Sequence, residues 1–261
     1  MSVLLRRQQG NTLVLTLNRP EVRNALTPEL IEALRLAFLE AADQDMVRAV
    51  VLTGAGKAFC SGLDLGGLQE IARRSTEENR RDSRVLAELL ELVYSCPKPV
   101  VAALNGHAVA GGAGLASVCD VVVMSEAAKI GYTEARIGFV AALVGVFLVR
   151  QVGDKHARDL LLSARLVGAR EALGMGLVNE VCAGEQVLER ALARAEGMAA
   201  NAPSSLALTK ALLAAVPGMG LADGLRYAVE VNALSRTTDD LAEGVAAFLE
   251  KREPSWKDET P

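Results

Sequence analysis

Two glycine-rich bends and one acidic residue hold most of the chemistry that this 261-residue sequence offers. The first bend, Ser61-Gly62-Leu63, follows a run of valine and leucine. The second, Ala110-Gly111-Gly112, lies inside NGHAVAGGAGLASVCD, from Asn105 to Asp120, and Glu134 comes a little downstream. Glycines let backbone N–H groups approach a ligand closely, and a helix beginning there places its positive end behind them. If the strands feeding the two bends are neighbours, one amide from each converges on a single carbonyl oxygen. Each donor in such a hole contributes about 10²–10³ in rate, because it stabilises charge that develops only in the transition state. The same glycines would also serve tight helix–strand packing, and spacing alone does not choose between the two. Glu134, in an apolar neighbourhood, suits proton transfer or a buried ion pair with Arg136 or Lys129.

Other reactive side chains fit weaker patterns. Ser61 as a nucleophile would need an activating base, and no Ser–His–Asp order is marked. His107 fits a structural hydrogen bond or polarisation of a substrate group, Tyr132 fits packing or a pocket wall, and Asp120 fits a helix-end anchor or a salt bridge. The four cysteines lie far apart with no CxxC pair, and two histidines are too few for a metal site. Gly54 to Gly67 is glycine-rich but matches neither phosphate-binding pattern.

The elements that must position these residues follow from periodicity. Thr12 to Leu17, Arg48 to Thr53, Val100 to Leu104 and Val121 to Met124 are predicted strands, with Lys129 to Tyr132 a shorter fifth and Leu177 to Cys182 a late one. Thr27-Pro28-Glu29 supplies an N-cap, a proline at the first helical position and an acid in the first turn, ahead of Leu30, Leu34, Ala37, Phe38 and Ala41 at helical spacing. Thr76-Glu77-Glu78 is read as the cap of a helix turning Val85, Leu86, Leu89, Leu90 and Val93 inward. Gly112 to Cys119 is read as a short buried helix. Helices are predicted at Ala141–Val152, Asp154–Ser163, Ala169–Met175, Glu185–Ala200, Ser204–Val216, Leu221–Ser235 and Asp239–Lys251. Strands alternating with helices indicate a covered α/β sheet, here residues 1–195, with a helical region over 196–261.

A formal charge of −4 with basic residues scattered gives no patch for nucleic acid or an anionic membrane. The longest apolar run, Ile137 to Val149, is shorter than the roughly 20 residues of a spanning helix. The reading is a cytoplasmic protein with reduced thiols, no metal, and neither nucleic acid nor membrane as a partner.

Three ordered segments, RAVVLTGAGKAFCSGLDL, KPVVAALNGHAVAGGAGLASVCDVVV and KIGYTEARIGF, resemble the signature segments of the crotonase (enoyl-CoA hydratase/isomerase) superfamily, and NRPEVRNAL, GLVNEV and NAPSSLALTK add to the likeness. It runs from about Val14 to about Lys251. The resemblance implies an α/β spiral of ββα units with C-terminal helices that build a homotrimer, often paired into a homohexamer. It implies an acyl-CoA thioester substrate, coenzyme A being part of that substrate and no separate cofactor being needed. The amides of Leu63 and Gly111 become the thioester oxyanion hole and Glu134 the carboxylate that exchanges a proton at the α-carbon. Arg23, Ala25, Ser61, Gly62, Asp64, Leu65 and Gly66 become the residues around the coenzyme A moiety.

Two departures follow from the same likeness. Two-glutamate hydratases carry a carboxylate where this chain has Gly114, and a PG-x-GG loop is replaced by Val140 to Gly145. Asp82, Glu88 and Glu91 are the remaining candidates for a second acid. The expected activity is hydration of a 2-enoyl-CoA to a 3-hydroxyacyl-CoA. The alternatives are a Δ3,Δ2-enoyl-CoA isomerase, which needs one acid–base group, and a non-catalytic acyl-CoA-binding subunit.

Overall fold

A computed structural model of the chain describes residues 2–64, 71 and 73–256. The chain opens with a hairpin, β1 (Leu4–Gln9) and β2 (Thr12–Leu17), turned at Gly10-Asn11 and paired antiparallel. Helix α1 (Pro28–Asp43) starts where Thr27 accepts the Leu30 N–H, as its Thr-Pro-Glu start predicts. Strands then come in twos: β3 (Ala49–Gly54) with β4 (Ala58–Cys60), β5 (Val100–Leu104) with β6 (His107–Val109), and β7 (Val121–Ser125) with β8 (Lys129–Gly131). The first of each pair joins a six-stranded sheet ordered β1-β2-β3-β5-β7-β10, and the second joins a four-stranded sheet ordered β4-β6-β8-β9. Each turn of the chain therefore adds one strand to each sheet, which is a spiral. The closing strands are β9 (Val167–Gly168), antiparallel to β8, and β10 (Glu180–Cys182), parallel to β7.

Alternation along the central strands divides the core. Val50 and Leu52 of β3, with Val100, Ala102 and Leu104 of β5, face one cluster shared with α1 and with α2 (Thr76–Tyr94). Ala49, Val51, Val101 and Ala103 face the other, covered by Val187, Ala191, Leu192 and Ala195 of α6 (Val187–Ala199). With helices over both faces, the strands read as continuous apolar runs instead of alternating ones.

Several boundaries differ from the sequence reading. Helix α2 is capped one residue earlier, by Ser75, whose hydroxyl accepts the Glu78 N–H while the Glu78 carboxylate accepts the Ser75 N–H, a complete capping box. Val85 of α2 is exposed, whereas Leu89, Leu90 and Val93 are buried. Helix α3 (Gly111–Ser117) begins and ends earlier than Gly112 to Cys119. The two helices expected between Ala141 and Ser163 form α4 (Ala142–Ser163), broken by non-helical Gly153. Only Glu180–Cys182 of the predicted Leu177 to Cys182 strand is extended.

After the short α5 (Ala169–Gly174) and α6 come α7 (Pro203–Ala215), α8 (Leu221–Ser235) and α9 (Asp239–Glu250). Lys210 of α7 is tied to the sheet by an ion pair to Asp120 and a hydrogen bond to Lys98 O (3.0 Å); Asp120 also accepts the Val100 N–H (2.7 Å). Burial raises the Asp120 carboxyl above its usual range, and the Lys210 ammonium opposes the shift. Yet α7 and α8 bury no residue of their own, and Leu221, Leu225 and Val229 form an exposed stripe at helical spacing on α8.

Candidate active site

Strands β4, β6 and β8 lie side by side and parallel. The chain leaves their C-terminal ends at Cys60, Val109 and Gly131, and the next few residues of each connection hold Leu63, Gly111 and Glu134. Three parts distant in sequence thus reach one edge of one small sheet, where parallel α/β sheets gather ligand-binding connections.

The two bends touch. A Cβ on Gly62 would stand 2.9 Å from the Ala110 Cβ and 3.1 Å from the Gly111 amide nitrogen, and one on Gly111 would stand 3.9 Å from the Leu63 amide nitrogen. Gly62 has φ +88°, a value side chains resist. Ala110 also lies at positive φ (52°, ψ −125°), a strain of about 1–3 kcal/mol at a site-forming turn. It is held by its own N–H donating to Gly131 O at 2.8 Å. Among the described residues neither the Leu63 nor the Gly111 N–H donates a hydrogen bond, Gly111 being the first residue of α3. Seven residues give α3 little macrodipole, so these two amides carry the electrostatics of the bend more than the helix end does.

The segment Arg19–Leu26 braces the first bend. Ser61 N donates to Arg23 O (3.0 Å), Leu26 N to Gly62 O (2.8 Å) and Asp64 N to Leu26 O (3.2 Å). Arg23, Ala25, Ser61, Gly62, Leu63 and Asp64 are therefore one cluster beside Gly111; Arg23 is exposed, and the Asp64 carboxylate pairs with Arg19 at 3.3 Å. Leu65 and Gly66 lie outside the described residues. The hub of the brace is Asn24, fully buried, whose Nδ2 donates to the carbonyls of Ala55 (2.9 Å), Ala58 (2.9 Å) and Phe59 (3.2 Å) while its Oδ1 accepts the Arg19 N–H (2.9 Å). Sequence reasoning passed over Asn24. It lies at positive φ (56°), which asparagine tolerates better than most residues, and its partners far along the chain leave no local sequence signal.

Glu134 opens a 3₁₀ turn, Glu134–Ile137, and is 8% exposed. Its Oε2 has no hydrogen-bond partner and no ion pair reaches it among the described residues, so neither Arg136 nor Lys129 neutralises it. Burial raises its carboxyl above the ordinary glutamate range, favouring the protonated form, while its own backbone N–H opposes the shift. The other sequence candidates fall elsewhere. Asp82, Glu88 and Glu91 are exposed, with Asp82 paired to Arg74. His107 is exposed and accepts the Lys129 N–H at 3.1 Å, a structural role. Tyr132 is buried with its hydroxyl 2.5 Å from Ser117 Oγ.

Residues 7–259 match the family model described as enoyl-CoA hydratase/isomerase. The chain belongs to that family. Relatives of this enoyl-CoA hydratase/isomerase family member include a Thermus thermophilus protein named "Putative enoyl-CoA hydratase", 55% identical over 95% of this chain and 98% of its own. The 2,3-dehydroadipyl-CoA hydratase of Escherichia coli is 35% identical over 98% of this chain and 99% of its own. Among solved structures, an enoyl-CoA hydratase of Mycobacterium smegmatis superposes with TM-score 0.91 at 33% identity, covering 98% of this chain and 99% of that one. One from Polaromonas sp. JS666 gives 0.92 at 32% identity, covering 97% and 99%. The fold is the crotonase-type α/β fold.

Proposed function

We propose that the protein is an enoyl-CoA hydratase that adds water across the α,β double bond of a 2-enoyl-CoA to give a 3-hydroxyacyl-CoA. The observation that carries this reading is the meeting of two amides, Leu63 and Gly111, that donate no hydrogen bond among the described residues, at the sheet edge that also presents the buried Glu134 with its Oε2 unpartnered. The thioester carbonyl oxygen accepts both N–H groups. As the water oxygen bonds to C3, the C2–C3 π electrons move toward the thioester carbonyl oxygen, and the amides stabilise the enolate-like charge. Glu134 delivers a proton to C2 and takes up the one that the water releases, leaving its own protonation unchanged. Arg23, Ala25, Ser61, Gly62 and Asp64 flank the coenzyme A moiety. The names of the relatives support the same chemistry.

The test is a progress curve of the conjugated thioester absorbance with crotonyl-CoA. Loss of absorbance with formation of the 3-hydroxyacyl product is expected; no turnover of any short 2-enoyl-CoA overturns the assignment.

One observation favours a second reading, Δ3,Δ2-enoyl-CoA isomerisation: position 114 carries no carboxylate, and moving a double bond needs only one acid–base group. A 3-enoyl-CoA separates the two, since an isomerase stops at the conjugated product and a hydratase continues to the alcohol.

A further inference from the structure

A Cβ placed on Gly114 would collide with Cγ1 of Val144 and lie 3.1 Å from the Val144 Cβ, with no other atom within 4 Å apart from its own helix. Among the described residues the Val144 isopropyl group alone fills this direction. Gly111 and Gly114 are one turn apart on α3, so a side chain at 114 would project from the same short helix that supplies the Gly111 amide. Val144 is itself buried, in the first turn of α4, and the chain entering α4 is tied to the acid: Phe139 N donates to Glu134 O at 3.0 Å. The Gly114–Val144 contact therefore joins the helix of the donor amide to the segment of the carboxylate.

The inventory of buried acids sharpens the point. Among the described residues the buried carboxylates are Glu134 and Asp240, and Asp240 accepts from Ser204 N (2.8 Å) and Ser204 Oγ (2.6 Å) in the C-terminal helices. Among the described residues Glu134 is the buried carboxylate of the sheet edge, the Asp64 carboxylate there being paired with Arg19.

We propose that Val144 is a specificity-determining residue: by filling the space that a side chain at position 114 would take, it keeps that wall apolar and, relative to a site with a polar group there, raises proton transfer within the acyl chain against water addition. The inference rests on the enoyl-CoA reading above. A water attacking C3 must lose a proton and needs polar partners to hold it; an isopropyl wall offers none. A double-bond shift needs neither. Glu134 takes a proton from C2 of a 3-enoyl thioester, the electrons move onto the carbonyl oxygen held by the two amides, and the same carboxyl returns the proton to C4. The C3–C4 π bond is lost, the C2–C3 π bond forms, and nothing is added or released.

The experiment compares wild type, Gly114→Glu, Val144→Gly and the double variant, by thermal melting and by rates on a 2-enoyl-CoA (hydration) and a 3-enoyl-CoA (isomerisation). Gly114→Glu alone is expected to melt several degrees lower, and Val144→Gly to restore much of that loss in the double variant, because the two changes share one volume. The double variant is expected to gain at least about tenfold in the ratio of hydration to isomerisation over both wild type and Val144→Gly. A Gly114→Glu protein that melts with wild type, or a double variant whose ratio equals that of Val144→Gly, overturns the proposal. Gly114→Ala against Val144→Ala repeats the melting cycle with smaller changes should the glutamate variant fail to fold. A wild type inert on both substrates refutes the enoyl-CoA reading, whereas the melting cycle judges the Gly114–Val144 pair by itself.

Discussion

The Gly111 amide nitrogen lies 3.1 Å from the point where a Cβ on Gly62 would stand. A methyl group there would crowd the edge of the proposed oxyanion hole and would also sit on a residue at φ +88°. Gly62→Ala should therefore lower kcat/KM for a 2-enoyl-CoA by about 10² or more. It should also lower the melting temperature, since the positive φ is strained for alanine. Steady-state kinetics beside a thermal melt checks this. Wild-type kcat/KM in the variant would show that the two bends do not share a ligand.

Glu134 faces a conflict between stability and chemistry. Its carboxyl has a folded-state pKa raised by burial, so folding favours the protonated form. The associated stability is fully present below the unfolded glutamate value and is lost as pH rises through the raised folded value. Glutamine keeps the shape without the charge. Glu134→Gln should then match wild type in melting temperature at acid pH and exceed it increasingly as pH rises through the raised value. Turnover should fall by about 10² or more at every pH. Melts from acid to mildly alkaline pH with parallel rate assays test both halves; a Gln variant that keeps its rate removes Glu134 from the mechanism, whereas a wild type that binds an acyl-CoA without turning it over is a non-catalytic binder.

How much of this was legible in the sequence depends on length scale. Strands such as β3 and β5 and helices such as α1 announce themselves through long apolar periodicities and a Thr-Pro-Glu start. Strands β4 and β6 are three residues each, inside or next to glycine-rich turns, too short to show any period, and they were hidden. The parallel pairing of β4 with β6 and of β6 with β8 brings the connections holding Leu63, Gly111 and Glu134 to one sheet edge, and that pairing is a long-range contact with no local signature. The motif likeness named the site residues without showing why they meet. Neither Asn24 nor Val144 could be found that way, because each acts through a partner far along the chain: the 55–59 carbonyls for one, Gly114 for the other.

Asn24 should behave as a positioning residue. Its amide ties three carbonyls of the 55–59 loop to the segment whose Leu26 brackets Leu63 from both sides, through Gly62 O and Asp64 N. Asn24→Ala leaves those carbonyls short of a donor and should cost about 2 kcal/mol or more in stability. In the folded variant the Leu63 amide loses its aim. kcat should then fall at least about tenfold with a smaller change in KM, and the red shift of a bound enoyl-thioester chromophore, which reports carbonyl polarisation, should shrink. A stability loss with kcat and the spectral shift intact would mark Asn24 as purely structural.

Leu221, Leu225 and Val229 form an exposed apolar stripe on α8, with Phe248 and Leu249 exposed on α9, and apolar surface of this kind marks an interaction face when it is contiguous. We propose that these helices build a homotrimer, or a homohexamer of two such rings. Light scattering on the purified chain at micromolar concentration should give three or six times the monomer mass. Replacing both Leu225 and Val229 by glutamate should shift the mass toward one chain, because each copy in a ring would bury two unpaired charges. Since α7 is pinned to the sheet through Lys210 and Asp120, and not through that stripe, the variant should keep its far-ultraviolet helical signal as it dissociates. A wild type that scatters as a monomer would place the stripe outside any self-assembly interface.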